Sequence, residues 1–366
     1  MLSSDTTDRT ARRDALAGRL FDATLGLMDL GAVYMGDRLG LYRALQDLGP
    51  ATPAELALAT GTHERYAREW LEQQAVSGLL EVDDAARPPE ARRYSLPPGH
   101  ADVLVDPESL SAMAPLAQFG IGVIRAMPAL LEAFRTGGGV SWAAFGADVR
   151  EAQAAQNRPA FLRLLGEEWL PAVPDLHHRL QADPPARVAD VACGAGWSAI
   201  GIARAYPKVR VDGLDLDGPS IDLGRANVAK AGLADRITLA TRDAADPALA
   251  GRYDLVTIFE SLHDMSRPVD VLRACRHMLA AGGSVLVVDE RVADVFLAPG
   301  DQVERLMYGF SVLCCLPAGM ADQPSAATGT VMRTETLRRY AAEAGLRTTE
   351  VLPVANDLFR FYRLRP

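Results

Sequence analysis

The chain has 366 residues, 49% of them hydrophobic, and a formal net charge of −9. That length outgrows a single hydrophobic core, so two cored domains are expected. The acidic balance, without any block of like charge, excludes a field that would attract phosphate backbones, and nucleic acid is not an expected partner.

The four cysteines, Cys193, Cys275, Cys314 and Cys315, show no C-x-x-C spacing, which fits buried thiols in a reducing, cytoplasmic compartment. The opening MLSSDTTDRTARRD is polar and lacks an apolar run. No stretch approaches about 18 uninterrupted apolar residues, so neither export nor a membrane anchor is expected.

From residue 11 to 47 apolar groups recur at helical spacing (Leu16, Leu20, Leu25, Met28, Val33, Leu41, Leu45), with Gly26, Gly31, Gly36 and Gly40 as breaks or close-packing points. Several short helices are predicted there. The run THERYAREWLEQQAVSGLLEV predicts a helix capped by Thr62 and then a strand from Leu79, and RYSL returns as a second strand after a polar turn. Helix, helix, strand, loop, strand is the order of a winged helix-turn-helix. Its second helix carries His63, Glu64, Arg65, Arg68, Glu69 and Glu72, whose charges nearly cancel, so groove binding is disfavoured and pairing with a second copy is the alternative use.

Residues 101–180 read as mostly helical, interrupted by RTGGGVSW at 135–142. From 187 the pattern becomes α/β. Strands are predicted at 187–192, 209–215, 236–241, 253–259 and 283–289 with helical runs between them, the signature of a parallel sheet covered on both faces. RTTEVLPVA and LFRFYRLR add two β-rich runs too close for anything but an antiparallel hairpin. The predicted fold is a Rossmann-like sheet of seven strands, mostly parallel, with a terminal antiparallel hairpin, behind an N-terminal, mainly α, winged-helix-like domain.

RVADVACGAGWSAIGIA (187–203) places Gly194, Gly196 and Ala199 in a G-x-G-x-x-[G/A] turn after the first strand of that sheet. Ligands of such sheets bind beyond the strand carboxyl ends at this switch point, and Asp215, about 20 residues on, suits a ribose diol. Those features serve nicotinamide and adenosyl ligands equally. Asp190 separates them: a carboxylate near the loop repels a pyrophosphate but suits an ammonium or a network of loop N–H groups. S-adenosyl-L-methionine carries an ammonium and a sulfonium and no phosphate. In TRDAAD, Asp243 offers an acceptor for the adenine amino group and Ala244 an N–H donor, although an aspartate in such a loop often only caps it.

Through VADVACGAG, VDGLDLD, RDA, YDLVTIFESLHDM and LAAGGSVLVVDE the chain resembles the class I S-adenosylmethionine-dependent methyltransferases. With its winged-helix-like half it is more narrowly similar to small-molecule methyltransferases of bacterial natural-product pathways and plant O-methyltransferases. The resemblance implies S-adenosyl-L-methionine as methyl donor, held by Asp190, Ala192, Gly194, Gly196, Asp215, Leu216, Asp243, Ala244 and Phe259. Ala192 departs from the glycine usual in the family, and only a slightly altered turn is expected. Also implied are a dimerisation domain over 1–100, a helical connector and acceptor-pocket lid over 101–180, and a donor-binding catalytic domain over 181–366.

Methyl transfer needs an acceptor aligned about 3 Å from the methyl carbon and, where the acceptor is protonated, a base. FESLHDMSRP follows the fourth strand, and His263 with Asp264 is the nearest ionisable pair; the resemblance implies His263 as general base in O-methylation of a small molecule. The competing reading is a packed loop histidine. Glu290, closing the fifth strand, faces the same rim and could orient acceptor or base, or pair with Arg291. Phe259 and Met265 could wall the site, and Trp142, Tyr308 and Phe310 could form a lid. N-methylation and C-methylation are alternatives, the latter with a metal on His263–Asp264 and Cys314 or Cys315, although no metal set is assigned. A non-catalytic ligand-binding regulator is the alternative of another class.

Overall fold

In the computed structural model, helix α1 (Leu2–Arg38) runs unbroken for 37 residues, where its glycines predicted several short helices. An isolated glycine costs a helix only about 1 kcal/mol relative to alanine, so Gly26 and Gly31 are absorbed. Gly36 is a packing point: a Cβ there would stand 2.5 Å from the Trp70 and Tyr42 rings. Gly40 alone breaks the helix, at a φ of 68°. The structure describes residues 2–366, with side chains from Asp8 onward, so the opening MLSSDTT read for an export signal lies outside the described side chains.

The chain forms two units, Met1–Ile121 and Gly122–Pro366. In the first, α1 is followed by α2 (Leu41–Leu48), α3 (Pro53–Thr60) and α4 (Glu64–Val76). Thr52 and Glu55 cap α3 reciprocally, satisfying N–H groups that a helix start leaves open. His63, not Thr62, caps α4, because its Nδ1 reaches the Arg65 N–H at 3.2 Å. The short strands β1 (Glu81–Val82) and β2 (Tyr94–Ser95) pair antiparallel, and α5 (His100–Leu104) and α6 (Ala114–Arg125) follow. Leu41, Leu45, Leu56, Leu71 and Leu80 bury around Tyr42, Trp70 and Tyr94. The polar atoms of those rings are met inside: Tyr42 donates to Gln74, and Trp70 Nε1 to the Ala32 carbonyl at 2.9 Å.

The second unit opens with α7 (Met127–Thr136), α8 (Trp142–Leu164) and α9 (Pro174–Gln181). Strands β3 (Arg187–Val191), β4 (Arg210–Asp215), β5 (Ile237–Thr241), β6 (Tyr253–Phe259) and β7 (Leu279–Glu290) alternate with α10 (Trp197–Ala205), α11 (Gly218–Lys230) and α12 (Pro268–Met278). Next come α13 (Gln302–Phe310), α14 (Leu316–Gly319) and α15 (Thr334–Glu343), then the hairpin β8 (Thr348–Val351) and β9 (Phe359–Arg365). The sheet order is β5-β4-β3-β6-β7-β9-β8, parallel except at β9, as the alternation and the terminal hairpin predict. Strand β7 is longer than the predicted 283–289, since Leu279 already pairs with Tyr253 before a register shift.

Both sheet faces are buried, which is why the strands are near-continuous apolar runs. Val188, Val211, Leu255 and Leu286 pack against α8–α11, whereas Ala189, Val256, Val285 and Val287 face α12 and α15. Burying each such aliphatic side chain stabilises the fold by about 1.5–3 kcal/mol. Helix α10 lies tight on α8 because Gly201 has no side chain: a Cβ would fall 2.2 Å from the Phe161 carbonyl oxygen. Strand β3 lies between β4 and β6, which makes its carboxyl end the switch point of the sheet.

Candidate active site

The turn leaving β3 is held by backbone geometry first. Ala192 (φ 57°), Gly194 (φ 49°) and Gly196 (φ 75°) all adopt the left-handed conformation. This costs alanine roughly 1–2 kcal/mol and glycine little. Ala192 is thus a strained residue rather than a neutral replacement. The Asn227 amide donates to the Ala195 carbonyl at 3.0 Å, tying the turn to α11.

Asp215, at the end of β4, reaches across to this turn. Its Oδ2 accepts the Gly194 N–H and its Oδ1 the Asp217 N–H, each at 2.8 Å. Burial raises its pKa while those N–H groups lower it. Asp217, to which no sequence motif assigns a role, caps α11 through Ser220 and is neutralised by Arg150 of α8 at 2.7 Å. Leu216 between them is 74% exposed at the rim. Asp190 sits deeper than a ligand contact requires: it is 1% exposed and receives the Ser198 hydroxyl at 2.5 Å and the Thr257 hydroxyl at 2.7 Å. Burial pushes its carboxyl up to about 6.

Asp243 accepts the Ala245 N–H at 2.8 Å and so braces its own loop, while Ala244 packs at the edge of the core. Phe259 is buried with its ring 5.1 Å from that of Phe161, a core position. The turn therefore carries carboxylates, backbone N–H groups and one internally paired arginine. That donor set fits a phosphate-free ligand with hydroxyls and positive charge.

The second cluster lies past β6 and β7. His263 is 2% exposed, and its Nδ1 meets Asp289 Oδ1 at 2.7 Å. Asp289 also accepts the Glu290 N–H at 2.9 Å. Asp264, the sequence neighbour, is not the Nδ1 partner; Asp289 is, a residue the sequence does not single out beside Glu290. Consecutive strand residues point to opposite faces, so of an Asp-Glu pair ending a strand only one can face a given side chain. Burial works against protonating His263, but the charge and hydrogen bond of Asp289, together with Cys315, raise its pKa well above 6.5.

Cys315 closes a π-helical turn, Ser311–Cys315, a form that recurs at functional sites. His263, Asp264 and Cys315 each bring a ligand atom within 4.8 Å of the others. Burial raises Asp264 to about 6. Glu290 makes no ion pair with Arg291, whose guanidinium donates to the Asn356 carbonyl; Glu290 Oε2 is buried without a partner. Glu260, not anticipated from the sequence, takes a left-handed φ of 48° and is hydrogen-bonded by Gln153 and Asn157. Met265 packs on the core, and Tyr308 stacks edge-on against Phe296.

Residues 188–283 match the family described as a methyltransferase domain, and residues 23–106 the Rv2258c-like winged HTH domain. Ubiquinone biosynthesis O-methyltransferase of Marinobacter nauticus is 34% identical over 181 residues, 49% of this chain and 71% of that protein. Its counterpart in Pseudomonas aeruginosa is 25% identical over 179 residues, 49% of this chain and 72% of that protein. Mitomycin 7-O-methyltransferase MmcR superposes with a TM-score of 0.70 at 23% identity, covering 97% of this chain and 99% of that one. Human N-acetylserotonin methyltransferase, solved in complex with SAM, gives 0.71 at 19% identity over 95% and 97%. The glycine turn, the Asp215 bridge and these likenesses converge: the chain belongs to the S-adenosylmethionine-dependent methyltransferases.

Proposed function

We propose that the protein methylates an oxygen of a small-molecule acceptor, with His263 as the general base and Asp289 holding its imidazole. The observation that carries this reading is the buried 2.7 Å contact between His263 Nδ1 and Asp289. Fixing Nδ1 as the protonated nitrogen leaves Nε2 to take the acceptor's proton. S-adenosylmethionine supplies a methyl group on a sulfonium, already activated for displacement. The residues' task is to hold the donor by its ribose at Asp215, align the acceptor, exclude water and receive one proton at Nε2. Asp190, Ala192, Gly194, Gly196, Leu216, Asp243, Ala244 and Phe259 complete the donor side in this reading, with Asp190 and Phe259 acting by shaping the floor. Single-turnover assays with labelled donor test it: His263→Ala should slow transfer by about 10²–10⁴-fold while leaving donor affinity unchanged.

A second reading follows from the His263, Asp264 and Cys315 cluster. Imidazole, carboxylate and thiolate would suit a borderline or soft divalent metal, which could support C-methylation by polarising an acceptor carbonyl. Loss of activity on chelation, restored by one metal, selects this reading; full activity after exhaustive chelation selects the base.

The winged-helix unit serves dimerisation in this proposal, and a second copy covers α1. Leu16, Leu20, Phe21, Leu25 and Met28 are each at least half exposed along that helix, which at 1.5 Å per residue is about 55 Å long. On α4, Arg65 pairs with Glu69, and Glu72 pairs with Arg92, which leaves little charge for phosphates. Sedimentation of Phe21→Glu as a monomer beside a dimeric parent supports this use. Among the described residues no single helix is long and apolar enough to cross a membrane, and the working compartment in this reading is the cytoplasm.

A further inference from the structure

We propose that Glu260 and Glu290 form a paired-carboxyl subsite, braced by Gln153 and Asn157, that seats a protonated amine carried by the methyl acceptor. The inference rests on the reading that the acceptor meets the donor beside His263, and it names the acceptor's chemical class.

The two glutamates leave adjacent parallel strands at one rim. Phe259 stands opposite Val288, and the Glu260 N–H donates to the Val288 carbonyl at 2.8 Å. Glu260 then turns through a left-handed φ of 48°, a conformation non-glycine residues adopt at a cost and chiefly where function demands it. That turn brings its carboxylate to Gln153 and Asn157, one helical turn apart on α8. Glu290 is 8% exposed, and its Oε2 accepts nothing; Ser261 Oγ beside Glu260 is also unpartnered. Buried polar atoms in native folds are almost always paired, so an idle carboxylate oxygen beside an idle hydroxyl points to a ligand that brings donors. An ammonium brings three donors and no acceptor.

The charges agree with the geometry. Burial raises both glutamates, Glu260 to about 7 and Glu290 well above the carboxylate range; the Glu260 charge raises Glu290 further, and the Asp289 charge raises Glu260. The main cation acting on them is His263, itself engaged by Asp289. Asp264 adds a further carboxyl beside His263. An acceptor bearing its own carboxylate would meet like charge here, whereas an ammonium would stabilise the ionised pair and displace its proton to solvent.

The test uses the full chain saturated with S-adenosylhomocysteine, the demethylated donor, and three matched phenols: tyramine, 4-(2-hydroxyethyl)phenol and 4-hydroxyphenylacetate. Calorimetry is expected to find tyramine at least about tenfold tighter than the alcohol, with the carboxylate weakest. Glu260→Gln and Glu290→Gln should each bring tyramine to within about threefold of the alcohol. An unchanged S-adenosylhomocysteine affinity shows that each variant is folded. Equal binding of the three, no binding of any, tighter carboxylate binding, or an ammonium preference that survives both substitutions overturns the subsite. No methyl transfer is measured, so full turnover by His263→Ala would remove the base and leave this result standing.

Discussion

His263 and Asp289 meet at 2.7 Å in the protein interior, although 26 residues separate them and one lies past β6 while the other is the penultimate residue of β7. Such a contact orients the imidazole and stabilises its charged form as it accepts a proton. Asp289→Asn should therefore lower kcat by about 10²–10⁴-fold, the range of general acid–base assistance. Donor affinity by calorimetry should not change, because Asp289 makes no hydrogen bond to the glycine turn. A variant that retained near-parental kcat would show that the contact only supports packing.

The same contact sets a pH dependence. Asp289 and Cys315 raise His263 well above 6.5 against the opposing effect of burial, with Asp264, Glu260 and Glu290 as the other ionisable groups nearby. A base works in its unprotonated form, so kcat/KM should be low near pH 6.5 and rise as pH increases through the raised value. Asp289→Asn removes the raising charge, and the acidic limb of its profile should move to lower pH. A parental profile already flat from pH 6 upward would contradict the assignment.

Much of the fold, and the place of the candidate site, was legible in the sequence, for reasons of local geometry. The alternation of strands and helices predicts the sheet, and G-x-G-x-x-A followed by Asp215 marks the candidate donor loop, because a tight turn and a diol partner need particular residues at particular distances. His263 was readable from its place after the fourth strand of the sheet. Asp289 and Glu260 were not, since nothing local distinguishes Asp289 from Glu290, and the left-handed turn at Glu260 falls on a residue that normally avoids it. The continuous α1 was missed because glycine is a weak helix breaker unless the chain must also take positive φ, as at Gly40.

Ala192 offers a test of backbone strain. Its φ of 57° is one that a Cβ disfavours, and replacing alanine by glycine there removes the strain at the smaller cost of a more flexible unfolded chain. Ala192→Gly should raise the unfolding free energy by up to about 1 kcal/mol, seen as a higher denaturant midpoint with unchanged slope. A lower midpoint would mean that the alanine methyl makes compensating contacts in the turn.

Asp190 and Asp215 flank one loop, and their surroundings assign them different work. Asp190 is buried and holds two hydroxyls, Ser198 and Thr257, so Asp190→Ala strands both in the interior. Unpaired buried polar groups cost roughly 1–3 kcal/mol each, and a loss of roughly 2 kcal/mol or more in unfolding free energy is expected. Asp215 bridges two backbone N–H groups but is itself desolvated by burial, so Asp215→Ala trades the lost bonds against relief of a buried carboxylate and should cost about 1 kcal/mol or less. In the proposed donor site it also removes the diol partner, so S-adenosylhomocysteine should bind the variant about 10–100-fold more weakly, each factor of ten being about 1.4 kcal/mol. The two substitutions thus separate on two axes, thermal denaturation and calorimetry. If Asp190→Ala weakened ligand binding without destabilising the fold, the carboxylate in β3 would be acting on the donor's charge directly, and the hydroxyl network would be secondary.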